Sequence, residues 1–144
     1  MLGHKATDRI TGLKGVITAK AEFLHAPLRM ELTPTKVIAG KPLDSVWLDE
    51  PRLEIGAVAV KVKAIPATIQ LGDMVLDSIT GFKGVATGRF TFLNGCLRIE
   101  VSPTMLKDGK PIEATSFDEQ RLTSKSKVEK GGPFDSPPAR STPK

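Results

Sequence analysis

The chain has 144 residues, of which 40% are hydrophobic and 26% charged, as is typical of a globular protein with one or two small domains. It lacks an apolar run of the ~18 residues that cross a bilayer, and its one cysteine and two histidines provide neither a disulfide framework nor a closed zinc site. The net charge is +5, but residues 2–56 and 71–122 are nearly neutral, so the surplus lies in the linker and tail and does not favour nucleic acid as a partner.

The sequence contains an internal repeat. Residues 2–53 align without a gap with residues 71–122, and 24 of the 52 aligned positions are identical. Identity at that level over an ungapped alignment indicates duplication of one module. A lone module of about fifty residues buries little core, so docking of the two copies or association with neighbouring subunits is expected to stabilise it.

The first predicted feature in each copy is the turn Ile-Thr-Gly-x-Lys-Gly, at residues 10–15 and 79–84. Its paired glycines predict a tight loop that needs positive φ. A phosphate-binding loop is the less favoured interpretation, because the Lys-Ser/Thr ending and the following helix of a P-loop are missing. The predicted structural turn glycines are Gly12, Gly15, Gly81 and Gly84.

Strand-like segments alternate with turns through the rest of each copy. A β-type run follows the first turn, a period-2 strand with Arg and Glu facing outward comes next, and a short segment containing Asp-Glu and Arg-Leu closes the copy. These segments lie at residues 16–24, 28–32 and 47–53 in the first copy and at 85–93, 97–101 and 116–122 in the second. No window has helical periodicity, so we predict an all-β chain with two tandem small antiparallel β-barrels.

The predicted domain boundaries follow the repeat. They are a first β-barrel repeat at 1–56, a linker strand at 57–69, a second β-barrel repeat at 70–123, and a disordered basic Pro/Ser-rich tail at 124–144. The linker places valines on one phase of a two-residue period. That pattern predicts a strand that pairs across the two barrels or with another subunit.

Candidate partner contacts lie mainly outside the duplicated pattern. Trp47 stands where the second copy has Ser116, so it is either a contact specific to the first copy or half-buried packing. The linker strand and the basic tail are expected to act as arms that reach neighbouring molecules. The predicted contact residues are Trp47, Val58, Val60, Val62 and Arg140.

None of the reactive residue patterns predicts a catalytic centre. Adjacent side chains diverge on a strand or a turn, so Asp49-Glu50 and Asp118-Glu119 are interpreted as solvated acids of a capped turn rather than catalytic pairs. Cys96 has no counterpart in the first copy and no histidine in its own copy. A buried structural thiol is therefore favoured over a nucleophile.

Two phenylalanines on one phase of a strand, Phe90 and Phe92, have two interpretations. They form either a stacking platform for single-stranded bases or part of the core. The core interpretation is favoured, because the first copy has Ala21 at the position of Phe90.

A spaced set of residues recurs in both copies and carries a family resemblance. The second copy has Asp77, Thr80, Gly81, Phe82, Gly84, Thr87, Leu93, Gly95, Cys96, Phe117, Asp118, Glu119 and Leu122, with Ser116 in place of an aromatic. The first copy keeps Asp8, Thr11, Gly12, Gly15, Thr18, Leu24, Trp47, Asp49, Glu50 and Leu53. This set resembles the pattern D-x-x-TGF-x-G-x-x-T-x-x-x-x-x-L-x-GC, then W-F-D-E-x-x-L, of short proteins encoded by tailed bacteriophages.

The resemblance implies SH3-like barrels and a non-enzymatic function in the virion, with no catalytic residues to transfer. The leading hypothesis is a virion structural protein that decorates or cements the capsid through barrel surfaces and extended arms. The expected partner is the major capsid protein or another virion protein, with the chain present as a homo-oligomer or in many copies, made in the host cytoplasm. The alternatives are a tail or neck accessory protein and a small-barrel nucleic-acid-binding protein.

Overall fold

The computed structural model describes residues 1–126, and within them the regular structure is β-strand except for 3-10 turns at Glu50–Arg52 and Glu119–Arg121. The first copy contains β1 (His4–Asp8), β2 (Lys14–Phe23), β3 (Arg29–Pro34), β4 (Val37–Ile38), β5 (Lys41–Pro42), β6 (Val46–Asp49) and β7 (Leu53–Val58). The second contains β8 (Met74–Asp77), β9 (Lys83–Phe92), β10 (Leu97–Ser102), β11 (Leu106–Lys107), β12 (Lys110–Pro111), β13 (Thr115–Asp118) and β14 (Leu122–Ser126). The predicted all-β class is confirmed.

The chain divides into two compact units. Unit 1 contains residues 1–67 and 88–98, and unit 2 contains residues 68–87 and the described chain from Ile99 onward. The second half of β9 and the loop after it are therefore part of unit 1. Of the predicted tail, residues 127–144 lie outside the described residues, and the predicted contact Arg140 lies among them.

In unit 1 the antiparallel strand order is β6–β3–β2–β1–β7. Strand β2 is longer than β1, and its second half, residues 19–23, pairs with residues 88–92 of β9. Ala21 faces Phe90 in this ladder, and Phe90 is the residue that corresponds to Ala21 in the repeat. Each copy therefore contributes the same stretch of strand to the pairing.

The predicted linker strand is wrong beyond Val58, where β7 ends, because residues 59–69 contain no strand. The backbone N–H groups of Ala59 and Val60 both donate to the carbonyl of Gly3, at 2.8 and 2.9 Å. Because two successive N–H groups donate to one carbonyl, the chain after Val58 no longer follows the regular hydrogen-bond spacing of the β1–β7 ladder.

Unit 2 repeats the strand order of unit 1, with β13–β10–β9–β8–β14. Strand β14 is the counterpart of β7, although the polar sequence after residue 122 did not predict a strand. The register shift in β7–β1 at Ala6↔Ile55 recurs in β14–β8 at Val75↔Ser124. The sheets of the described residues are antiparallel, and none closes into a barrel.

Each unit has its own hydrophobic core. The buried cluster of unit 1 is Ala6, Ile17, Met30, Leu32, Leu48 and Leu53. The buried cluster of unit 2 is Ile69, Val75, Ala86, Ile99, Val101, Phe117 and Leu122. All six unit 1 positions recur in unit 2, and the volume lost from Ile17 to Ala86 is offset by gains from Ala6 to Val75 and Leu48 to Phe117.

Candidate docking surface

A buried carboxylate holds the first turn of unit 1 in one conformation. Asp8 is only 2% exposed, and its Oδ1 accepts hydrogen bonds from the Ile10 N–H at 3.2 Å and Arg52 Nε at 3.1 Å. Its Oδ2 accepts from Thr11 Oγ1 at 2.5 Å and from Arg52 Nη2 at 2.7 Å. The Gly12 N–H closes the turn on the Asp8 carbonyl at 2.8 Å. The Asp-x-x-Thr-Gly sequence therefore forms a turn that its own aspartate caps, and Arg52, far away in sequence, stabilises it by binding both oxygens of that aspartate.

Unit 2 builds the same cluster from the equivalent residues. Asp77 is fully buried, and Arg121 donates to it from Nε at 2.9 Å and from Nη2 at 2.7 Å. The N–H groups of Ile79 and Thr80 and the Thr80 hydroxyl also donate to this carboxylate. The Arg121 guanidinium carbon lies 5.1 Å from the Phe117 ring centroid, which adds a cation–π contact.

The charges of these clusters are strongly stabilised. Hydrogen bonds from Arg52 and Thr11 hold the pKa of Asp8 well below its usual range, despite the opposing effect of burial. Hydrogen bonds from Arg121 do the same to the pKa of Asp77. A carboxylate that stays ionised and is engaged at both oxygens serves as an anchor rather than a general acid. Sequence reasoning missed these pairs, although Asp and Arg stand 44 residues apart in both copies.

The predicted turn glycines have two different physical roles. Gly12 and Gly81 have φ of +78° and +81°, as predicted. Gly15 and Gly84 do not have positive φ, so that part of the prediction is wrong. A Cβ at Gly15 would lie 2.2 Å from the Thr33 carbonyl oxygen, and one at Gly84 would lie 2.3 Å from that of Ser102. These two are glycine because neighbouring strands approach closely.

The rigid turns present an exposed isoleucine in each unit. Ile10 and Ile79 are both 72% exposed, and each follows the buried aspartate by two residues. A single exposed aliphatic residue is ordinary on a protein surface. Here, however, both copies place an isoleucine next to an equivalent buried aspartate, and both isoleucines are exposed to the same extent. The exposed isoleucine is therefore a repeated feature of the fold.

A short hairpin beside each turn adds further exposed aliphatic side chains. Gly15 pairs with Pro34, which places the end of the turn next to the start of the β4–β5 hairpin. Both face a shallow groove of about 310 Å³, lined by Gly12, Leu13, Lys14, Pro34, Thr35, Lys36 and Leu43. The exposed apolar residues of these hairpins are Val37 and Ile38 in unit 1 and Met105 and Leu106 in unit 2. We call residues 9–15 with 35–43 the unit 1 tip surface, and residues 78–84 with 104–112 the unit 2 tip surface.

The tip surfaces are positively charged. The unit 1 tip surface contains Arg9, Lys14, Lys36 and Lys41, all exposed, and contains no acidic residue. The unit 2 tip surface contains exposed Lys83, Lys107 and Lys110 with one acid, Asp108. The near-neutral total of each module conceals this local excess of cations, because most acidic residues of the modules lie outside the tip surfaces.

The predicted partner contacts lie apart in unit 1. Trp47 is half-buried and meets Phe90 edge to face, with ring centroids 6.3 Å apart, and Phe90 meets Phe23 in the same way at 5.8 Å. Trp47 and Phe90 therefore pack against other aromatic side chains of unit 1. Val58 and Val60 are exposed, while Val62 is half-buried and lines a different cleft from the tip surface.

The reactive residues differ from their predicted environments in two places. Cys96 is exposed rather than buried, because it lies in the loop between β9 and β10. Glu119 is buried rather than solvated, since its Oε2 accepts hydrogen bonds from the N–H groups of Thr68 and Ile69, both at 3.0 Å. Asp49 is exposed and pairs with Arg29 at 3.1 Å.

Within residues 1–126, no group of three or more His, Cys, Asp or Glu side chains is placed to hold a metal ion. The described residues also include no helix long and apolar enough to span a membrane. Comparison with protein-family models, curated proteins and solved structures finds no match to this chain.

Proposed function

We propose that this chain is a non-enzymatic structural protein of a tailed-bacteriophage virion that decorates or cements the capsid. The proposal starts from the resemblance of both copies to the Asp-x-x-Thr-Gly and Asp-Glu-x-x-Leu motifs of short phage-encoded proteins. The hydrogen bonds of Asp8 and Asp77 give the first motif a structural purpose, which suits a module without catalysis. The partner is the major capsid protein or another virion protein.

Each copy is proposed to be an SH3-like module. Five short antiparallel strands in the order β6–β3–β2–β1–β7, with a 3-10 turn before the last strand, support this assignment. The same order in β13–β10–β9–β8–β14 supports it for the second copy.

The observation that carries the proposal is the duplicated tip surface. Ile10 and Ile79 are equally exposed, and each follows a buried aspartate that is paired with an equivalent arginine. A surface repeated within one chain suits a partner that is itself repeated, because two weak contacts combine into a strong attachment. A capsid presents one subunit surface many times. The chain is accordingly proposed to be made in the host cytoplasm and to reside in the virion in many copies.

Two alternatives compete with capsid decoration. A tail or neck accessory protein has the same requirements for a repeated surface. A small-barrel nucleic-acid-binding protein is favoured by one observation, the four exposed cations of the unit 1 tip surface.

The test is binding of the purified chain to three targets: head shells assembled without it, isolated tails, and duplex or single-stranded DNA. Co-sedimentation with shells at saturating stoichiometry, and a higher temperature of shell disruption when the chain is present, are the expected results. Binding to isolated tails alone would favour the tail or neck accessory protein over capsid decoration. Binding to DNA alone, with affinity falling steeply as salt rises, would replace the proposal with nucleic-acid binding.

A further inference from the structure

We infer that the two tip surfaces are the docking sites of this protein, and that each fits an apolar pocket with an acidic rim on a folded subunit of the capsid. This inference rests on the proposed function and specifies which surface of the chain makes the contact. The anchor residues are Ile10, Val37 and Ile38 in unit 1 and Ile79, Met105 and Leu106 in unit 2.

The rigidity of the tip turns favours a folded protein as the occupant. Side-chain and backbone groups of Asp8 fix the backbone around Ile10, so little backbone freedom is lost when this residue enters a pocket. Pre-organised anchors of this kind increase affinity for a partner of fixed shape. A lipid surface has no fixed shape, and it favours interfacial aromatic residues, which the unit 1 tip surface lacks entirely.

The charge around the anchors specifies the rim of the pocket. Lys14, Lys36 and Lys41 accompany the anchors of unit 1. Lys83, Lys107 and Lys110 accompany those of unit 2, together with one acid, Asp108. A rim with an excess of positive charge steers association with a negatively charged surface and adds specificity. The complementary rim is therefore rich in aspartate and glutamate.

The aromatic residues of the chain disfavour single-stranded nucleic acid as the occupant. The unit 1 tip surface has no aromatic residue on which a base stacks. The aromatic residue of the unit 2 tip surface, Phe82, is only partly exposed and packs against Phe117, with ring centroids 5.3 Å apart. Cations without an exposed stacking group suit carboxylates better than bases.

The experiment compares the full chain with a double variant, Ile10→Ser with Ile79→Ser. Both side chains are highly exposed, so the variant is expected to keep the wild-type Tm. The matched control is Leu24→Ser with Val46→Ser, which removes two exposed aliphatic side chains that lie outside the tip surfaces and are not among the predicted contact residues. Each protein is titrated against head shells assembled without the chain, against vesicles of phosphatidylserine and phosphatidylcholine, and against duplex DNA, at low and high salt.

The expected result is that the tip variant binds shells roughly tenfold or more weakly than wild type, while the control binds normally and higher salt weakens binding by the wild-type chain. If the tip variant has a lowered Tm, Val37→Ser with Leu106→Ser provides a second pair of tip substitutions in its place.

The outcomes separate the inference from the proposed function. Shell binding by wild type that the tip substitutions leave unchanged, or that the control abolishes, overturns the docking assignment while capsid attachment stands. Absence of shell binding by wild type overturns both. Tip-dependent binding to vesicles or DNA in place of shells also overturns both and assigns the tips to that partner.

Discussion

The backbone of Ala39 is in a conformation that alanine disfavours. Ala39 has φ of +54° and Gly40 has φ of +78°, in the hairpin between β4 and β5. The equivalent hairpin of unit 2 has Asp108 and Gly109 at +53° and +77°, and aspartate tolerates this region better than alanine. We predict that Ala39→Asn raises the free energy of unfolding by about 0.5–1 kcal/mol. Urea denaturation measures this free energy. The reciprocal control is Asp108→Ala, which is expected to lower the free energy of unfolding. A loss of stability in Ala39→Asn would contradict the strain assigned to Ala39.

A second prediction at the scale of single residues separates the two kinds of turn glycine. Gly81 has positive φ and open space around the position of a Cβ, so Gly81→Ala is expected to cost about 1 kcal/mol from the backbone alone. Gly84→Ala is expected to cost several times more, because the new Cβ would lie 2.3 Å from the Ser102 carbonyl oxygen. Thermal unfolding of both variants makes the comparison. Equal losses would refute the assignment of different roles to Gly81 and Gly84.

At the scale of elements, the Asp–Arg clusters connect the end of the first strand of each copy to the 3-10 turn before its last strand. Because hydrogen bonds from Arg52 and Arg121 lower the pKa of Asp8 and Asp77, these groups contribute stability that is complete above the unfolded pKa of about 4. That stability is lost as the pH falls towards the lowered pKa values. We predict a Tm that falls on acidification from about pH 4 to pH 2, and a shallower fall in Asp8→Asn with Asp77→Asn. The Tm of the variant is also expected to be lower at pH 7. An identical acid dependence in both proteins would show that these pairs do not govern acid stability.

A buried acid anchors the end of the linker in unit 2. The Glu119 carboxylate accepts the N–H groups of Thr68 and Ile69. We predict that Glu119→Ala accelerates hydrogen exchange at these two amides by roughly tenfold, because each amide loses its hydrogen bond to the carboxylate. The matched control is Glu50→Ala, at the equivalent position of the first copy, where the side chain is partly exposed. Unchanged exchange at residues 68 and 69 in Glu119→Ala would contradict the anchoring function.

Local periodicity predicted the two strands after the Ile-Thr-Gly turn of each copy, because turns and alternation are local signals. The runs after the Ile-Thr-Gly turns became β2 and β9, and the Arg- and Glu-containing runs became β3 and β10. The prediction of a strand in the linker failed beyond Val58. The alternating valines are typical of a strand, but the hydrogen bonds to Gly3 that divert the chain join residues far apart in sequence. Strand β14 was missed for the opposite reason, since its polar sequence has no alternation and its pairing partner, β8, defines it.

At the scale of the whole molecule, the sequence predicted the duplication but did not predict which residues belong to each compact unit. The repeat implied two cores, and the buried clusters occupy equivalent positions. The assignment of residues 88–98 to unit 1 depends on the β2–β9 ladder, which pairs residues far apart in sequence. The tip surfaces were missed because net charge was summed over whole modules. Lys14 of the turn and Lys36 beside the hairpin line one groove only because the fold places these two segments side by side.

Duplication of the tip surface leads to a prediction about the two copies separately. If both tips bind equivalent pockets of a repeated partner, Ile10→Ser and Ile79→Ser alone each remove one of two linked contacts. Each single variant is expected to bind head shells more weakly than wild type by a similar factor, and the double variant more weakly than either. Co-sedimentation of the three variants with shells, over a range of chain concentrations, measures the three affinities. A single variant that is as weak as the double variant, paired with one that binds like wild type, would show that one copy docks and the other serves a different purpose. Similar losses in both single variants would instead mean that the chain holds its partner at two equivalent points.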